Sequence, residues 1–439
     1  MTVVRTESSK LGTNVLSLGV VQVANYLMPL ATVPIVSRII GPEKFGVINF
    51  AAAFVVYLSL LVNYGFSLTA TRRLAANPSD PENRNRIFSE VFTAQAILLL
   101  IATVIFLVCL LSIPQLREEW LVSVFTFFSC VGTLFTQEWL FQAMQDLSKV
   151  AILNFLSKLI FVVSILLIIN VQSDYIWYAL ALSTSQVLVG IFSFVWSFKK
   201  YNIKLYIIDL PSSLKLLWKE KTYFTSLIVI NLYTTANIVL LGFMTDAAQV
   251  GYYTAGTKIT FIIQTILILP FRHTFFPYIS NEITKDIDKG LQIAQKLLPI
   301  VLWPTFILCL STFFLSKNII LILFGDAFEP STIVLRILSF LPMIIALSNI
   351  WGILVMLNLN FDKIYFRITT LCAVLSVLLN FWLIPIWSYA GTAMVLLLTQ
   401  LLGLILIFLY LQKMKIKLIN PSYFSPLAIR KILIAHFNR

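Results

Sequence analysis

Residues 88–113 read FSEVFTAQAILLLIATVIFLVCLLSI, 26 residues with a single charge, Glu90. As a helix at ~1.5 Å per residue this stretch is ~39 Å long, enough to cross a hydrocarbon core of ~30 Å. Runs of the same kind recur at about 12–37, 45–70, 120–141, 150–170 and 175–198. A second set falls at about 222–244, 250–280, 295–317, 331–357, 364–387 and 389–411. Across all 439 residues 59% are hydrophobic and 12% charged, with a mean hydropathy of +0.91. Soluble domains carry about 25% charged residues, so the composition excludes a soluble enzyme of this length. The expectation is an all-α polytopic membrane protein with twelve transmembrane helices. The first run is interrupted by Asn25, Pro29 and Pro34 and has no small-residue cleavage pattern, unlike a signal peptide.

Lysines and arginines in the loops set the expected orientation. With the N-terminus inside, 24 of the 32 basic residues fall in inside segments and four (Arg38, Lys44, Arg117, Lys317) outside. Both termini are therefore expected to face the cytoplasm. The net charge of +13 sits beside the apolar runs, where topology accounts for it without nucleic acid. The connection 199–221, KKYNIKLYIIDLPSSLKLLWKEK, reads as a basic interfacial segment between an N-terminal lobe (1–198) and a C-terminal lobe (222–411) of six helices each. A basic amphipathic tail (412–439) completes the chain, and anionic lipid is partner enough for both basic segments. The join Phe45-Gly46-Val47-Ile48-Asn49-Phe50 and the join Val250-Gly251-Tyr252-Tyr253-Thr254-Ala255 are about 205 residues apart, as in a parallel repeat of pseudo-symmetric halves.

No catalytic motif emerges, every expected outward loop is short, and no cofactor or metal site is expected. Cys109, Cys130, Cys309 and Cys372 all lie in apolar runs, and the only histidines are His273 and His436. Acids fall in loops and at the ends of runs; Glu90 and Glu138 come nearest the membrane, both at expected cytoplasmic ends. The informative residues are cations inside the runs. A charge at a helix centre costs about 2.5–3.5 kcal/mol or more, so such residues face a bundle interior or a wet cavity. Lys258 and Arg272 fall within ~40° on one helix face and ~21 Å apart along it, with Thr254 and Thr265 on the same stripe. Lys158 follows Asn154 by one turn, and Arg336 opens the tenth run. The alternative for these cations is a side chain that snorkels to the headgroups. Asn14, Asn25 and Thr32 share one face of the first run. Asn63, Arg72 and Asn380 are further polar candidates, for which interhelical hydrogen bonding or ordinary loop charge is the competing reading.

Cations without acidic partners, flanked by amides and hydroxyls, suit an anionic cargo rich in hydroxyls, such as a lipid-linked sugar pyrophosphate. Moving a negative charge outward is favoured by about 2.3 kcal/mol per 100 mV. A carrier of cationic drugs should show the reverse pattern, acids inside the runs.

The stretch Ser37-Arg38-Ile39-Ile40-Gly41-Pro42-Glu43-Lys44-Phe45-Gly46 resembles the first outer loop of the Wzx-type polysaccharide flippases, and so do Glu138-Trp139-Leu140-Phe141-Gln142-Ala143, Val250-Gly251-Tyr252-Tyr253-Thr254-Ala255 and Phe324-Gly325-Asp326-Ala327-Phe328. The likeness covers essentially the whole chain. It implies membership of the multidrug/oligosaccharidyl-lipid/polysaccharide (MOP) exporter superfamily, with two six-helix lobes in a V around a central cavity and alternating access. The implied substrate is an undecaprenyl-pyrophosphate-linked O-antigen or capsule repeat unit, moved from the cytoplasmic to the periplasmic leaflet of the bacterial inner membrane. Arg38 matches the motif arginine, and Arg272 sits in Pro270-Phe271-Arg272 where the family places a basic cavity residue. The resemblance implies a monomer, with a polysaccharide polymerase and a chain-length regulator as partners. Related carriers of teichuronic-type polymers or lipid II are the nearest alternative, although lipid II flippases typically have fourteen spans. A membrane glycosyltransferase or ligase is the remoter one.

Overall fold

The computed structural model describes the backbone of residues 2–206, 208–270, 276–425 and 427; side chains are described at Met28 and from Thr32, except at 147, 207, 233–234, 266–278, 426 and 428–439. Among the described residues all regular structure is helical. The helices are α1 (Thr2–Asn63), α2 (Phe66–Ala75), α3 (Pro81–Ser112), α4 (Pro114–Glu118), α5 (Trp120–Phe135), α6 (Glu138–Ala143), α7 (Leu147–Ile168), α8 (Tyr175–Tyr201) and α9 (Leu210–Thr234). There follow α10 (Ala236–Met244), α11 (Ala247–Pro270), α12 (Phe276–Lys285), α13 (Ile287–Phe324), α14 (Ser331–Leu338), α15 (Leu341–Ser348), a π-helical stretch Asn349–Leu357, and α16 (Asp362–Lys413). Eight helical segments among the described residues are long and apolar enough to cross a membrane, and the bent pair of α9 and α10 makes a ninth.

Two of the differences from the twelve expected reflect helices that continue through expected loops, while the expected runs 12–37 and 250–280 lie partly outside the described residues. The 52 residues of α16 would reach ~78 Å as a straight helix, far beyond one crossing. The helix is broken at Ser388 (φ 48°, ψ −128°), on the expected border between the runs 364–387 and 389–411. Gly41 (φ 75°, ψ 171°) breaks α1 in the same way, and glycine is the residue that takes this left-handed φ without strain. The expected run 331–357 is one candidate span made of three short helical pieces. The expected connection 199–221 and run 222–244 are not separated as read, because α9 begins at Leu210 and the bend comes after Thr234.

The chain forms two compact units, Met1–Asn231 and Leu232–Arg439. In the first, Phe66, Ala70, Leu74, Phe88, Val91, Trp139, Leu140 and Phe141 form one core and Val55, Val62, Ala102, Phe106 and Cys130 another. Helices α5 and α8 approach through glycines: a Cβ on Gly190 would lie 2.8 Å from the carbonyl oxygen of Gly132. Small residues at such seams let backbones close on each other where lipid offers no hydrophobic driving force. In the second unit, Leu297, Leu298, Ile344, Trp351, Leu354 and Leu411 make up the core. Outward faces are aliphatic; Leu100, Leu111, Leu167 and Ile322 are 69–73% exposed. Surfaces of this kind match a hydrocarbon solvent, where every backbone group is already bonded inside its helix.

Beside the membrane-facing elements, Asp286 caps α13 by accepting from the backbone N–H groups of Asp288 (3.0 Å) and Lys289 (3.2 Å). The bond from the Lys289 N–H, more than the nearby Lys289 charge, holds this carboxyl below its usual range. The cap is therefore complete above about pH 4, the ordinary carboxylate value, and is lost as pH falls through the lowered one. Amide exchange at Asp288 and Lys289, corrected for intrinsic rate, should lose protection only in that acidic window. Protection that stays flat through it would show that the cap does not hold the helix start.

Candidate functional site

In α7 the candidate span runs over the 21 residues Ser148–Ile168, and Lys158 is its eleventh, ~15 Å from either end. Ile152, Val163 and Leu166, 38–48% exposed, mark the outward face. At ~100° per residue Lys158 lies ~240° and Asn154 ~200° around from Ile152, on the face of the buried Phe161 and Ile165. Lys158 thus points into the first unit rather than along the aliphatic surface.

An acid lies in its neighbourhood. Helix α5 stops at Phe135, and Thr136 and Gln137 turn the chain before α6. Gln137 fixes the turn: its N–H donates to Ser193 Oγ (3.0 Å), its Nε2 to the Leu134 carbonyl (3.0 Å), and its Oε1 accepts from Trp139 Nε1 (2.9 Å). Thr71 Oγ1 donates to the Trp139 carbonyl (3.0 Å), while Trp139, Leu140 and Phe141 enter the core. Glu138 is thereby aimed at α7. Its Oε1 accepts from Asn154 Nδ2 (2.9 Å), and Lys158 is its electrostatic partner. One expectation is corrected: Lys158 is not without an acid in its surroundings, since Glu138 acts on it electrostatically, while Glu138 itself lies near the end of the candidate span Trp120–Ala143. The reason is the turn of α6 against α7, which brings Glu138 onto Asn154, 16 positions away and one turn before Lys158. Sequence carried only a weak signal of it, an acid among the apolar residues of EWLFQA.

The other candidates lie apart from this cluster. In the first unit, Arg38 is exposed on α1, three residues before the break at Gly41. The motif around it does structural work: Ile40, Phe45 and Ile48 are buried, and Lys44 Nζ bridges to Glu119 Oε1 (2.9 Å), whose Oε2 accepts from the Tyr175 hydroxyl (2.6 Å). Asn63 Oδ1 accepts from the Gly65 N–H (3.2 Å) and holds the turn into α2. Arg72 is exposed on α2, while Arg73 reaches Glu90 Oε2 at 2.5 Å. Asn14 and Asn25 lie on α1, with side chains outside the described residues; Thr32 is buried and donates to the Met28 carbonyl (2.9 Å).

In the second unit, Lys258 is half-buried on α11. Thr254 Oγ1 donates to the Val250 carbonyl (2.7 Å) and Thr265 Oγ1 to that of Phe261 (2.8 Å), so both hydroxyl protons are held by the helix itself. Arg272 lies outside the described residues. Arg336 is exposed on α14, its Nε donating to Ser316 Oγ (3.3 Å) and its guanidinium 5.8 Å from the centre of the Phe313 ring. Asn380 is fully buried and donates through Nδ2 to Asn237 Oδ1 (2.7 Å). Among the described residues, no three histidine, cysteine or acidic side chains gather as metal ligands.

A cavity of about 290 Å³ lies within the first unit among α1, α5 and α8. Ser59, Thr126, Ser129, Thr133, Ser183 and Gln186 supply its polar lining, and none of the candidate cations lines it.

Residues 11–282 match the family described as polysaccharide biosynthesis protein. The chain belongs to that family. Two relatives carry the name "Putative O-antigen transporter". That of Escherichia coli (strain K12) is 30% identical over 422 residues, covering 94% of this chain and 99% of the relative. That of Shigella dysenteriae is 27% identical over 394 residues, covering 89% and 97%. Among solved structures, the lipid II flippase MurJ in an inward closed conformation superimposes with a TM-score of 0.74, covering 96% of this chain and 92% of that one at 13% identity. An inward-facing MATE transporter of the MOP superfamily gives 0.69, over 89% and 94%, also at 13% identity. At such identities the likeness establishes the fold, and this member of the polysaccharide biosynthesis family has the fold of the MOP exporters.

Proposed function

We propose that this chain is a flippase that moves undecaprenyl-pyrophosphate-linked oligosaccharide repeat units, of O-antigen or capsule type, from the cytoplasmic to the periplasmic leaflet of the bacterial inner membrane. It works by alternating access, as a twelve-helix monomer with cytoplasmic termini, and basic residues in a cavity hold the pyrophosphate. Polysaccharide polymerase and chain-length regulator are its functional neighbours. One observation supports the chemistry of this reading: Lys158 lies at mid-depth of α7 on its inward face, and ionisable residues at such depth, facing the interior of a bundle, commonly mark a substrate path. The near full-length likeness to proteins named as O-antigen transporters supports the cargo class. Lys258 and Arg272 are the further phosphate contacts of this reading, and Arg38 and Arg336 its outlying cations.

The test is complementation of a flippase-deleted strain that makes this protein's own repeat unit. Wild type should restore surface polysaccharide. Lys258→Ala and Arg272→Ala, at matched expression, should lose most of it while the cytoplasmic-leaflet intermediate accumulates. Full function in both variants would remove these two residues from the pyrophosphate path, and a wild type unable to complement would overturn the flippase reading. Restoration of peptidoglycan precursor transport instead would move the assignment to a lipid II carrier, the reading that the fold of MurJ makes the nearest second.

A further inference from the structure

The cavity of about 290 Å³ in the first unit is polar at a depth where polarity is disfavoured. Thr126, Ser129 and Thr133 recur at helical spacing along α5, inside the candidate span Trp120–Ala143. Leu182, Ser183 and Gln186 do the same on α8, with Gln186 at the middle of the candidate span Gln172–Tyr201. The α1 wall is aliphatic at Ala52, Val55 and Val56 and ends in Ser59. On the facing walls the hydroxyl protons are committed. Thr126 Oγ1 donates to the Val122 carbonyl (2.7 Å), Ser129 Oγ to that of Thr126 (2.7 Å), Thr133 Oγ1 to that of Ser129 (3.1 Å) and Ser183 Oγ to that of Ala179 (3.1 Å). Each oxygen keeps a lone pair for a further bond, so these hydroxyls can only accept. Donors come from the Gln186 amide, which no hydrogen bond among the described residues engages. The seam sets its position: the Gln186 carbonyl carbon and Cβ lie 3.0 and 3.1 Å from where a Cβ on Gly132 would stand.

Five hydroxyls and one amide without a charged side chain describe the ligand. An anion would meet acceptor oxygens, and a cation would find no counter-charge. A neutral donor of several hydrogen bonds, with an apolar face for the α1 wall, meets every part of the lining. A sugar ring is such a molecule, with hydroxyls around its rim and C–H groups on its faces. The volume lies at the lower edge, about 300 Å³, of cavities that enclose small ligands, which suits one ring rather than an oligosaccharide.

We propose that this cavity is a subsite for one sugar ring of the lipid-linked repeat unit. Thr126, Ser129, Thr133 and Ser183 accept from ring hydroxyls, Gln186 both donates and accepts and so fixes the ring's orientation, and the α1 aliphatics cover a C–H face. This rests on the flippase reading above and deepens it, because none of the candidate cations lines the cavity: the ring and the pyrophosphate are recognised by separate groups of residues. The seam at Gly132 and Gly190 holds α5 and α8 at a fixed spacing, so two of the three walls cannot part to admit a bulkier ring.

The experiment measures binding to the purified full-length chain in lipid nanodiscs, for wild type, Gln186→Leu and Thr133→Val. Three probes are used: the undecaprenyl-pyrophosphate-linked repeat unit extracted from the strain that makes it, undecaprenyl pyrophosphate without sugar, and the free repeat oligosaccharide. Thermal unfolding confirms that each variant is folded, and Thr133→Val keeps the shape of the side chain it replaces. Gln186→Leu should weaken binding of the sugar-bearing lipid about tenfold and Thr133→Val about threefold, the range of one or two lost hydrogen bonds. Neither should change binding of the sugar-free lipid. The free oligosaccharide, which lacks the pyrophosphate, should bind wild type far more weakly than the lipid-linked unit. Equal losses for both lipids would give the two residues a structural part, and no loss for either would leave the cavity to water; each result overturns the subsite. So does free oligosaccharide that binds as tightly as the lipid-linked unit, since the cavity would then serve a soluble sugar. A wild type that binds neither lipid overturns the flippase reading itself, whereas a wild type that binds the two lipids equally overturns the subsite alone.

Discussion

Gly391→Val is expected to leave little folded protein in the membrane. The break at Ser388 turns α16 back on itself so sharply that Gly391 faces the end of the preceding helical arm. In a straight helix residues 383 and 391 would be ~12 Å apart along the axis. Instead, a Cβ on Gly391 would lie 2.9 Å from the carbonyl carbon of Leu383, with the Leu383 oxygen closer still and Trp387 Cβ at 3.3 Å. The obstacle is backbone, which has no rotamer to change, so the turn itself must open. Overpacking usually costs about 1–3 kcal/mol; valine here belongs at the upper end or beyond it, and alanine, which adds only the Cβ, part of the way. Thermal unfolding of detergent-purified protein, followed by size-exclusion profile, gives the order wild type, Gly391→Ala, Gly391→Val. Equal stability of all three would show that the turn at Ser388 is not as tight as described.

Asn237→Leu should come next in size, about 2–3 kcal/mol from the loss of acceptors for buried donors. Asn237 on α10 and Asn380 on α16 are both 0% exposed. The Asn237 Oδ1 accepts from Asn380 Nδ2 at 2.7 Å and from Ser376 Oγ at 3.3 Å. Among the described residues, Asn237 Nδ2 and Asn380 Oδ1 have no hydrogen-bond partner, so the pair already runs a deficit and tolerates no further loss. Leucine at 237 leaves the Asn380 amide with only the Ser376 carbonyl, at 2.8 Å. Replacing both asparagines by leucine removes donor and acceptor together, and such double replacements come close to neutral. The double variant should therefore be more stable than either single one. Additive losses in unfolding free energy would show that the two amides do not act as a pair.

How much of this was legible beforehand follows from the kind of signal each feature leaves. The run at 88–113 lies in α3 and that at 150–170 in α7 because length and apolarity alone define a crossing, and both are encoded locally. The border expected between 387 and 389 coincides with the break at Ser388 for the same reason, since one crossing had already used the available length. The turn at Thr136–Gln137 left only the weak trace of the acid in EWLFQA, having neither glycine nor proline; what holds it is the bonding of Gln137 to Ser193, 56 residues away. Helical spacing relates Lys158 to Asn154 on one helix, but nothing local relates either to an acid on another. Asn237 was missed for a like reason, its role being defined by Asn380 on a helix 143 residues away. Of the stripe on α11, spacing showed that Thr254, Lys258 and Thr265 share a face; it did not show that both threonine hydroxyls are bonded to their own helix.

The glycine seam between α5 and α8 distributes stiffness unevenly. Gly132 and Gly190 bring two backbones together with no side chain between them to act as a cushion, and a carbonyl oxygen stands where a methyl would have to go. Close-packed backbones do not slide by fractions of a residue; they stay in register or come apart. These two helices accordingly behave as a single plate. Compliance is left to points where the helical ladder is interrupted, such as Gly41 in α1, whereas the turn at Thr136–Gln137 is tied to α8 through Ser193. Glu138, which follows that turn directly, is accordingly carried along with the plate.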